Sequence, residues 1–85
     1  MIIGLCTIIA VEEMSVITYA LETYELALAQ AIELQKGVTS SRERIPEKLQ
    51  ENGLRQTVWK FPFEKELIIV QEIEVGKLVL ECIKL

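Results

Sequence analysis

The apolar stretch Ile2–Val11 constrains the fold more than any other part of the chain. Its sequence, IIGLCTIIAV, is rich in β-branched residues and is apolar at both alternating phases. A strand with two apolar faces belongs in the interior of a sheet and needs cover on both sides. The chain therefore begins with a predicted central strand over residues 2–11.

A long helix is predicted next, over residues 15–36. Ser15 is a candidate N-cap residue, Lys36 falls in the last turn, and Gly37 fits the position after the C-cap. An apolar stripe recurs at spacings of three and four residues, through Ile17, Leu21, Tyr24, Leu28 and Ile32. A second flank is also apolar, so the apolar arc is wider than a single contact with a sheet requires.

A short second helix is predicted after a polar connector. Pro46 opens the sequence PEKLQENG and Gly53 closes it, and this pairing of an initial proline with a terminal glycine is typical of a helix. The connector between the two helices, from Gly37 to Ile45, is rich in hydroxyl and charged residues.

Three strands are predicted in the rest of the chain, over residues 54–63, 66–75 and 77–85. Pro62 cannot donate to a sheet ladder, so the first of these is an edge strand or ends near that proline. Gly76 separates the other two strands and predicts a hairpin between them.

These elements predict a two-layer α+β fold in a single domain spanning residues 1–85, with the order β-α-(short α)-β-β-β. The mostly antiparallel sheet has four strands, and the long helix packs on one face. Four strands make a sheet about 19 Å wide, whereas one helix covers about 10 Å. The opposite face of the sheet has no element left to cover it.

The apolar content exceeds what a small monomer readily buries. Hydrophobic residues make up 51% of the chain, and a chain of this size buries only about 60–65% of the surface that it exposes when unfolded. We therefore expect the uncovered sheet face to pack against a second copy or against a protein partner. A homodimer is the first choice, because closed homo-oligomers are the commonest soluble assemblies.

Two residue types are missing from the chain, and their absence limits the catalytic and metal-binding chemistry that it can perform. All thirteen acidic residues are Glu, and the chain contains no Asp and no His. These absences exclude Ser-His-Asp and Cys-His catalysis, His-ligated zinc sites and the HExxH motif. Glu72 and Glu74 share a strand face and should face water or a basic partner. We predict no catalytic residues, no metal site and no cofactor, so the sequence argues against an enzyme, although a Glu-based site completed between subunits stays open.

The two cysteines and the apolar N-terminus indicate the compartment. Cys6 and Cys82 each lie in an apolar run, which favours two buried thiols in a reducing environment over a disulfide between them. The N-terminal apolar run lacks a basic flank and is too short to span a bilayer. A cytoplasmic protein without membrane contact is expected.

Two sets of residues are candidate binding sites. Aromatic residues that bury area and keep a polar edge are typical interface anchors, and the partner-binding candidates are Tyr19, Tyr24, Trp59 and Phe61. From Lys36 to Lys60 the chain has six basic residues against three acidic ones. Arginine suits bidentate recognition of anions, so the candidates for an anion site are Arg42, Arg44, Arg55 and Lys60.

The function expected from these features is contact with other macromolecules. We interpret the chain as a small oligomerising adaptor that regulates or inhibits a macromolecular partner through an apolar sheet or helix surface and an Arg-bearing connector. The alternative is a binder of an anionic ligand or of nucleic acid through the basic 36–60 segment. The net charge of −4 disfavours nucleic acid, and the segment GVTSSRER lacks the Gly-Lys-Ser/Thr core of a P-loop.

Overall fold

The first strand lies in the interior of the sheet, as its two apolar faces predict. The computed structural model describes residues 1–39 and 41–74. In it, β1 (Ile2–Ala10) pairs with β2 (Ser15–Leu21) on one side and with β5 (Glu66–Glu74) on the other. Both backbone edges of β1 are therefore hydrogen-bonded within the sheet.

The sheet continues beyond β5 through β4 (Arg55–Phe61) to β3 (Glu43–Leu49). The strand order is β2-β1-β5-β4-β3, and every neighbouring pair is antiparallel. The predicted α+β class and antiparallel sheet are confirmed. The predicted number of four strands is wrong, because the described residues form five.

The first part of the predicted helix over residues 15–36 is a strand instead. Val16–Tyr19 are β-branched or aromatic, and such residues favour a pleated strand over a helix. The turn Val11–Met14, with Met14 in the left-handed region at φ 53°, folds β2 back onto β1. Every residue of β2 gains a cross-strand partner in this hairpin. These cross-strand pairs outweigh the apolar spacing of three and four residues, which predicts a helix.

The remainder of the predicted helix forms α1 (Tyr24–Leu34). Its N-cap is Thr23 rather than Ser15, because the Thr23 Oγ1 accepts a hydrogen bond of 3.1 Å from the Leu26 N–H. Gly37 follows the helix with φ +84°, a conformation that glycine adopts without strain. Among the described residues, no helix is long and apolar enough to cross a membrane.

The predicted short helix over PEKLQENG is also wrong, since its first half belongs to β3 and its second half to the turn that follows. The pairing of β3 with β4 shifts register between Ile45 and Lys48, and Pro46 lies in that irregular stretch. An edge strand with a bulge tolerates proline because the missing N–H is not needed for a second ladder. Gly53, at φ +80°, lies in the turn between β3 and β4 rather than at a helix end.

The last two described strands match strands predicted from the sequence. β4 ends at Phe61, directly before Pro62, but it lies between β5 and β3 and is not an edge strand. β5 occupies most of the predicted strand over residues 66–75. The predicted strand over residues 77–85, with its hairpin at Gly76, lies outside the described residues.

The core lies between α1 and one face of the sheet. α1 packs mainly on β1 and β5. The buried apolar residues come from the helix and from alternate positions of β1, β4 and β5: Cys6, Tyr24, Ala27, Ala31, Trp59, Phe61, Ile68 and Val70. Strand register places all the strand members of this set on the same side.

Gly4 permits the close contact between α1 and β1. A Cβ atom at this position would collide with the Thr23 carbonyl oxygen and would lie 2.9 Å from the Ala27 Cβ. Ala27 and Ala31 are both 0% exposed, so the helix meets the sheet through small side chains. The absence of a side chain at Gly4 therefore sets the distance between the two layers.

We expect Gly4→Ala to destabilise the domain by about 2–3 kcal/mol or more, because the added methyl group has no space and the helix backbone must move. Strand propensity alone would predict the opposite sign, since alanine is preferred over glycine in strands. Urea denaturation followed by circular dichroism measures the change. Gly37→Ala is the comparison: it meets no atom within 4 Å, and only its positive φ costs about 1–2 kcal/mol. An equal loss in both variants would contradict the close packing at Gly4.

Candidate functional site

The side of the sheet opposite α1 carries a continuous apolar surface. Strand register places alternate residues of all five strands on this side. We call its large apolar members the open sheet face: Ile3, Leu5, Ile9, Val16, Ile45, Val58, Leu67, Ile69 and Ile73. None of these residues is fully buried, whereas the residues that alternate with them include the core. No described element covers this face.

The middle of the open sheet face carries no charge. Thr18, Thr7, Ile69 and Val58 lie side by side across four strands. The only hydrogen bond between side chains in this row joins the Thr7 and Thr18 hydroxyls at 3.2 Å. Charged residues on this side occur towards β3, at Glu43, Lys48 and Lys60. The surface thus has an uncharged centre and a charged margin, which is the usual anatomy of a protein interface.

Three of the four aromatic candidates lie in the core rather than on this surface. Tyr24, Trp59 and Phe61 are 2%, 6% and 4% exposed and pack between the helix and the sheet. The Tyr24 hydroxyl contacts the Thr57 hydroxyl at 2.5 Å, so its polar edge is satisfied inside the chain. Tyr19, on the edge strand β2, is 37% exposed. Of the four, only Tyr19 is presented to a partner by the described chain.

Arg55 is held by two carboxylates of its own chain. Its Nη2 donates to Glu72 Oε2 at 3.0 Å and to Glu25 Oε1 at 3.1 Å, and its Nε donates to Glu72 Oε1 at 3.1 Å. The guanidinium also lies over the Tyr24 ring, 4.4 Å from the ring centroid. These contacts join α1, β4 and β5, and they leave Arg55 little capacity to bind an external anion.

The other basic candidates do not converge on one site. Arg44 lies over the Trp59 ring at 5.5 Å from its centroid. Arg42 is exposed and lines a shallow groove beside Trp59, Ile32 and Lys36. Lys60 follows Trp59 in β4, so its side chain projects from the opposite side of the sheet. The structure therefore brings Arg42 and Arg44 to the same ring but separates both from Lys60.

The charges around Arg55 shift the pKa of each partner. The side-chain hydrogen bond from Arg55 lowers the pKa of Glu72, and the Arg55 backbone N–H, 2.8 Å from Glu72 Oε1, lowers it further. A backbone hydrogen bond at the start of α1 and then Arg55 lower the pKa of Glu25. The hydrogen bond to Glu72 raises the pKa of Arg55. Burial raises the pKa of Tyr24.

Sequence reasoning identified Arg55 but not its partners. Glu72 occupies the same strand phase as the buried residues Ile68 and Val70, and that alternation is the signal that places it on the helix side. The sequence predicts that Glu72 and Glu74 face water or a basic partner, and Glu72 pairs with Arg55. Glu25 carried no comparable signal, because its pairing depends on where α1 begins.

Cys6 is the one cysteine among the described residues, and Cys82 lies outside them. Cys6 is 0% exposed, and burial raises the pKa of its thiol. A thiol in that state is a poor nucleophile. Within residues 1–39 and 41–74, no three Cys or Glu side chains are grouped so that they could hold a metal ion.

Part of the helix surface is also apolar and exposed. Leu26 and Ile32 are 50% and 56% exposed on the outer side of α1. Leu26 belongs to the second apolar flank of the sequence pattern. Ile32 belongs to the stripe that is predicted to face the core, and it adjoins the groove that Arg42 lines. This part of the helix surface is smaller than the open sheet face and lies next to charged residues of the helix.

Comparisons with known proteins add no relative to this description: no family model, no curated protein and no solved structure matches the chain.

We expect Glu72→Gln to reduce the dependence of stability on acid. The folded chain holds the pKa of Glu72 below its ordinary value, so the ionised carboxylate stabilises the fold above the pKa of the unfolded state, about 4.3. That contribution is lost as the pH falls through the folded pKa. The urea midpoint of the wild type should therefore fall more steeply between pH 6 and pH 3 than that of the variant.

Glu51→Gln, in the exposed turn between β3 and β4, makes the same change in charge without removing a partner of Arg55. If Glu72→Gln and Glu51→Gln gave the same acid profile, the ion pair with Arg55 would not contribute to folding.

Proposed function

We propose that the chain is a small non-enzymatic binding protein that assembles with a second copy of itself through the open sheet face and acts by contact with a macromolecular partner. The observation that carries this proposal is the one-sided coverage of the sheet. α1 packs on one side, and nine apolar side chains stay at least partly exposed on the other.

The extent of the open sheet face supports a second copy as its occupant. Five strands spaced about 4.8 Å apart and about seven residues long give a face of roughly 550 Å². Two such faces in contact would bury roughly 1,100 Å², which exceeds the ~1,000 Å² expected of a biological interface. A small protein with a large exposed apolar patch also tends to aggregate unless that patch is covered.

The distribution of charge supports the same occupant. A two-fold axis through the middle of the face would bring uncharged side chains such as Thr7 and Ile69 against their equivalents, with no charge buried. The charged margin at Glu43, Lys48 and Lys60 would lie at the periphery, where opposite charges can pair or meet water.

Such an assembly leaves the helix side free for a macromolecular partner. The groove beside Ile32, Lys36, Arg42 and Trp59 combines exposed apolar surface with two cations. This combination fits an acidic partner segment that carries apolar side chains. Control of such a partner by the assembled protein is the regulatory role that we propose.

Less supports the alternative of an anion or nucleic-acid site. Arg55 is occupied by Glu72 and Glu25, and Lys60 projects from the other side of the sheet, so two of the four candidate cations do not face the groove of Arg42.

Replacing Ile69 with lysine tests the assembly. Ile69→Lys places a charge in the middle of the open sheet face, where a solvated monomer tolerates it but an interface would bury it unpaired. We expect self-association to weaken by at least about 100-fold, since an unpaired buried charge costs several kcal/mol. Sedimentation equilibrium should show at least a halving of the mass, with an unchanged circular dichroism spectrum.

The matched control is Ile32→Lys, the same substitution at an exposed site on α1. It should leave the mass unchanged. A wild-type chain that sediments at 9.7 kDa at millimolar concentration would contradict the proposed assembly. A loss of mass in Ile32→Lys alone would assign the interface to the helix instead.

A phosphate titration tests the alternative function. Trp59 is the single tryptophan of the chain and adjoins both Arg42 and Arg44. Its fluorescence should therefore respond to an anion bound by these arginines. We expect inorganic phosphate up to 10 mM, at constant ionic strength, to change the emission by no more than about a few per cent. A saturable change that is lost in Arg42→Gln would favour the anion site.

A further inference from the structure

The two edges of the sheet differ in their protection against strand pairing. The β3 edge carries Pro46, an irregular register after Ile45, and four charged residues: Glu43, Arg44, Glu47 and Lys48. Proline, bulges and charges are the usual devices that prevent an edge strand from pairing with another chain. β3 is therefore a guarded edge.

The β2 edge has none of these devices. Its seven residues, SVITYAL, include no charge and no proline, and they pair with β1 in an uninterrupted register. Val16, Ile17 and Tyr19 are 65%, 49% and 37% exposed. A regular, uncharged edge strand of this kind is a template for strand addition.

The backbone groups of β2 that no described strand pairs with can be assigned from the ladder. The Val11 N–H donates to the Lys65 carbonyl on the β5 side, at 3.0 Å. Backbone groups alternate in direction along a strand, so Ala10, Ile8, Cys6 and Gly4 of β1 face β2. Their partners in β2 face inward in turn, which leaves the N–H and C=O groups of Val16, Thr18 and Ala20 directed outward.

We propose that the outer edge of β2 pairs in antiparallel fashion with β2 of a second copy, about a two-fold axis at Thr18. This register uses all seven residues of the strand and brings together the outward-facing backbone groups. It places Ile17 opposite the partner's Tyr19, a pair of the aromatic and β-branched type that stabilises antiparallel sheets. It also places Val16 opposite the partner's Ala20 and Thr18 opposite its own equivalent.

The edge interface is independent of the open sheet face. Pairing at β2 lies in the plane of the sheet and joins two five-stranded sheets into one, so it leaves the open sheet faces exposed. If the open sheet face also binds a second copy, and the two-fold axes of the two interfaces intersect at right angles, the two interfaces together generate a closed assembly of four chains, about 39 kDa from four chains of 9.7 kDa.

A charge at the axis tests the edge. Thr18→Lys places two lysines opposite each other in the paired edge, whereas in the separate chain residue 18 is exposed and tolerates lysine. The side chain of residue 18 also lies on the side of the open sheet face, so this variant acts on both interfaces. We expect the mass at sedimentation equilibrium to fall at least by half, from about 39 to about 19 kDa or less, given 9.7 kDa per chain. Leu49→Lys makes a comparable change on the guarded edge, at a residue that is 68% exposed, and should leave the mass unchanged.

Ala20→Pro is a second variant with the same expected result. Its missing N–H points outward, so the β1–β2 ladder is kept while the paired edge loses a donor. Circular dichroism should show that both variants keep their strands. A mass unchanged from the wild type in folded Thr18→Lys and Ala20→Pro would overturn the edge interface.

Combination with Ile69→Lys separates the two interfaces. If both exist, Ala20→Pro and Ile69→Lys each sediment at about 19 kDa, and the double variant Ala20→Pro/Ile69→Lys sediments at 9.7 kDa. If only the edge exists, the wild type sediments at about 19 kDa, Ile69→Lys has no effect, and Thr18→Lys alone gives 9.7 kDa. This second result would reject the face and keep the edge.

Discussion

One short helix faces a sheet of five strands, and this mismatch in size governs the rest of the molecule. The helix has 11 residues, and so is about 16 Å long and 10 Å wide. The sheet is about 24 Å wide. The helix can therefore protect only the middle of one side, which is where the fully buried residues of β1 and β5 lie. Everything apolar on the other side must be covered from outside the described chain or remain in contact with water.

The helix is fixed to the sheet by two complementary contacts. At Gly4 the lack of a side chain lets Ala27 approach the first strand closely. At the start of the helix, Arg55 joins Glu25 to Glu72 and so links α1, β4 and β5 through charge-assisted hydrogen bonds. Steric fit thus positions the helix over β1, while the ion pairs connect it to the neighbouring strands. Both contacts lie on the covered side and place no constraint on the open sheet face.

The sequence predicts the central features of the fold because they depend on local patterns. β1 is a continuous apolar run, and its interior position follows from having apolar residues at both phases. The end of β4 at Phe61 follows from the proline after it. The uncovered face follows from counting elements against sheet width, although one of the predicted strands lies outside the described residues.

The errors arise where a local pattern fits two structures and pairing at a distance decides between them. SVITYAL has helical spacing as well as β-branched composition, and only its hairpin with β1 shows which applies. PEKLQENG has a proline and a glycine at the positions typical of helix ends, but its first four residues belong to the edge strand beside β4. With the helix shortened at its start, Tyr24 points into the core and Tyr19 lies at the edge. The candidate site in the structure is therefore a sheet face and a strand edge, and not the set of aromatic anchors predicted from the sequence.

The proposed assembly depends on contact between open sheet faces of different copies. An isotope-filtered NOE experiment on a sample mixed from carbon-13-labelled and unlabelled chains observes such contact directly. The proposed assembly predicts NOEs from the methyl groups of Ile9, Leu67 and Ile69 to protons of unlabelled chains. Filtered spectra in which these methyl groups show contacts only within their own chain and to water would contradict it.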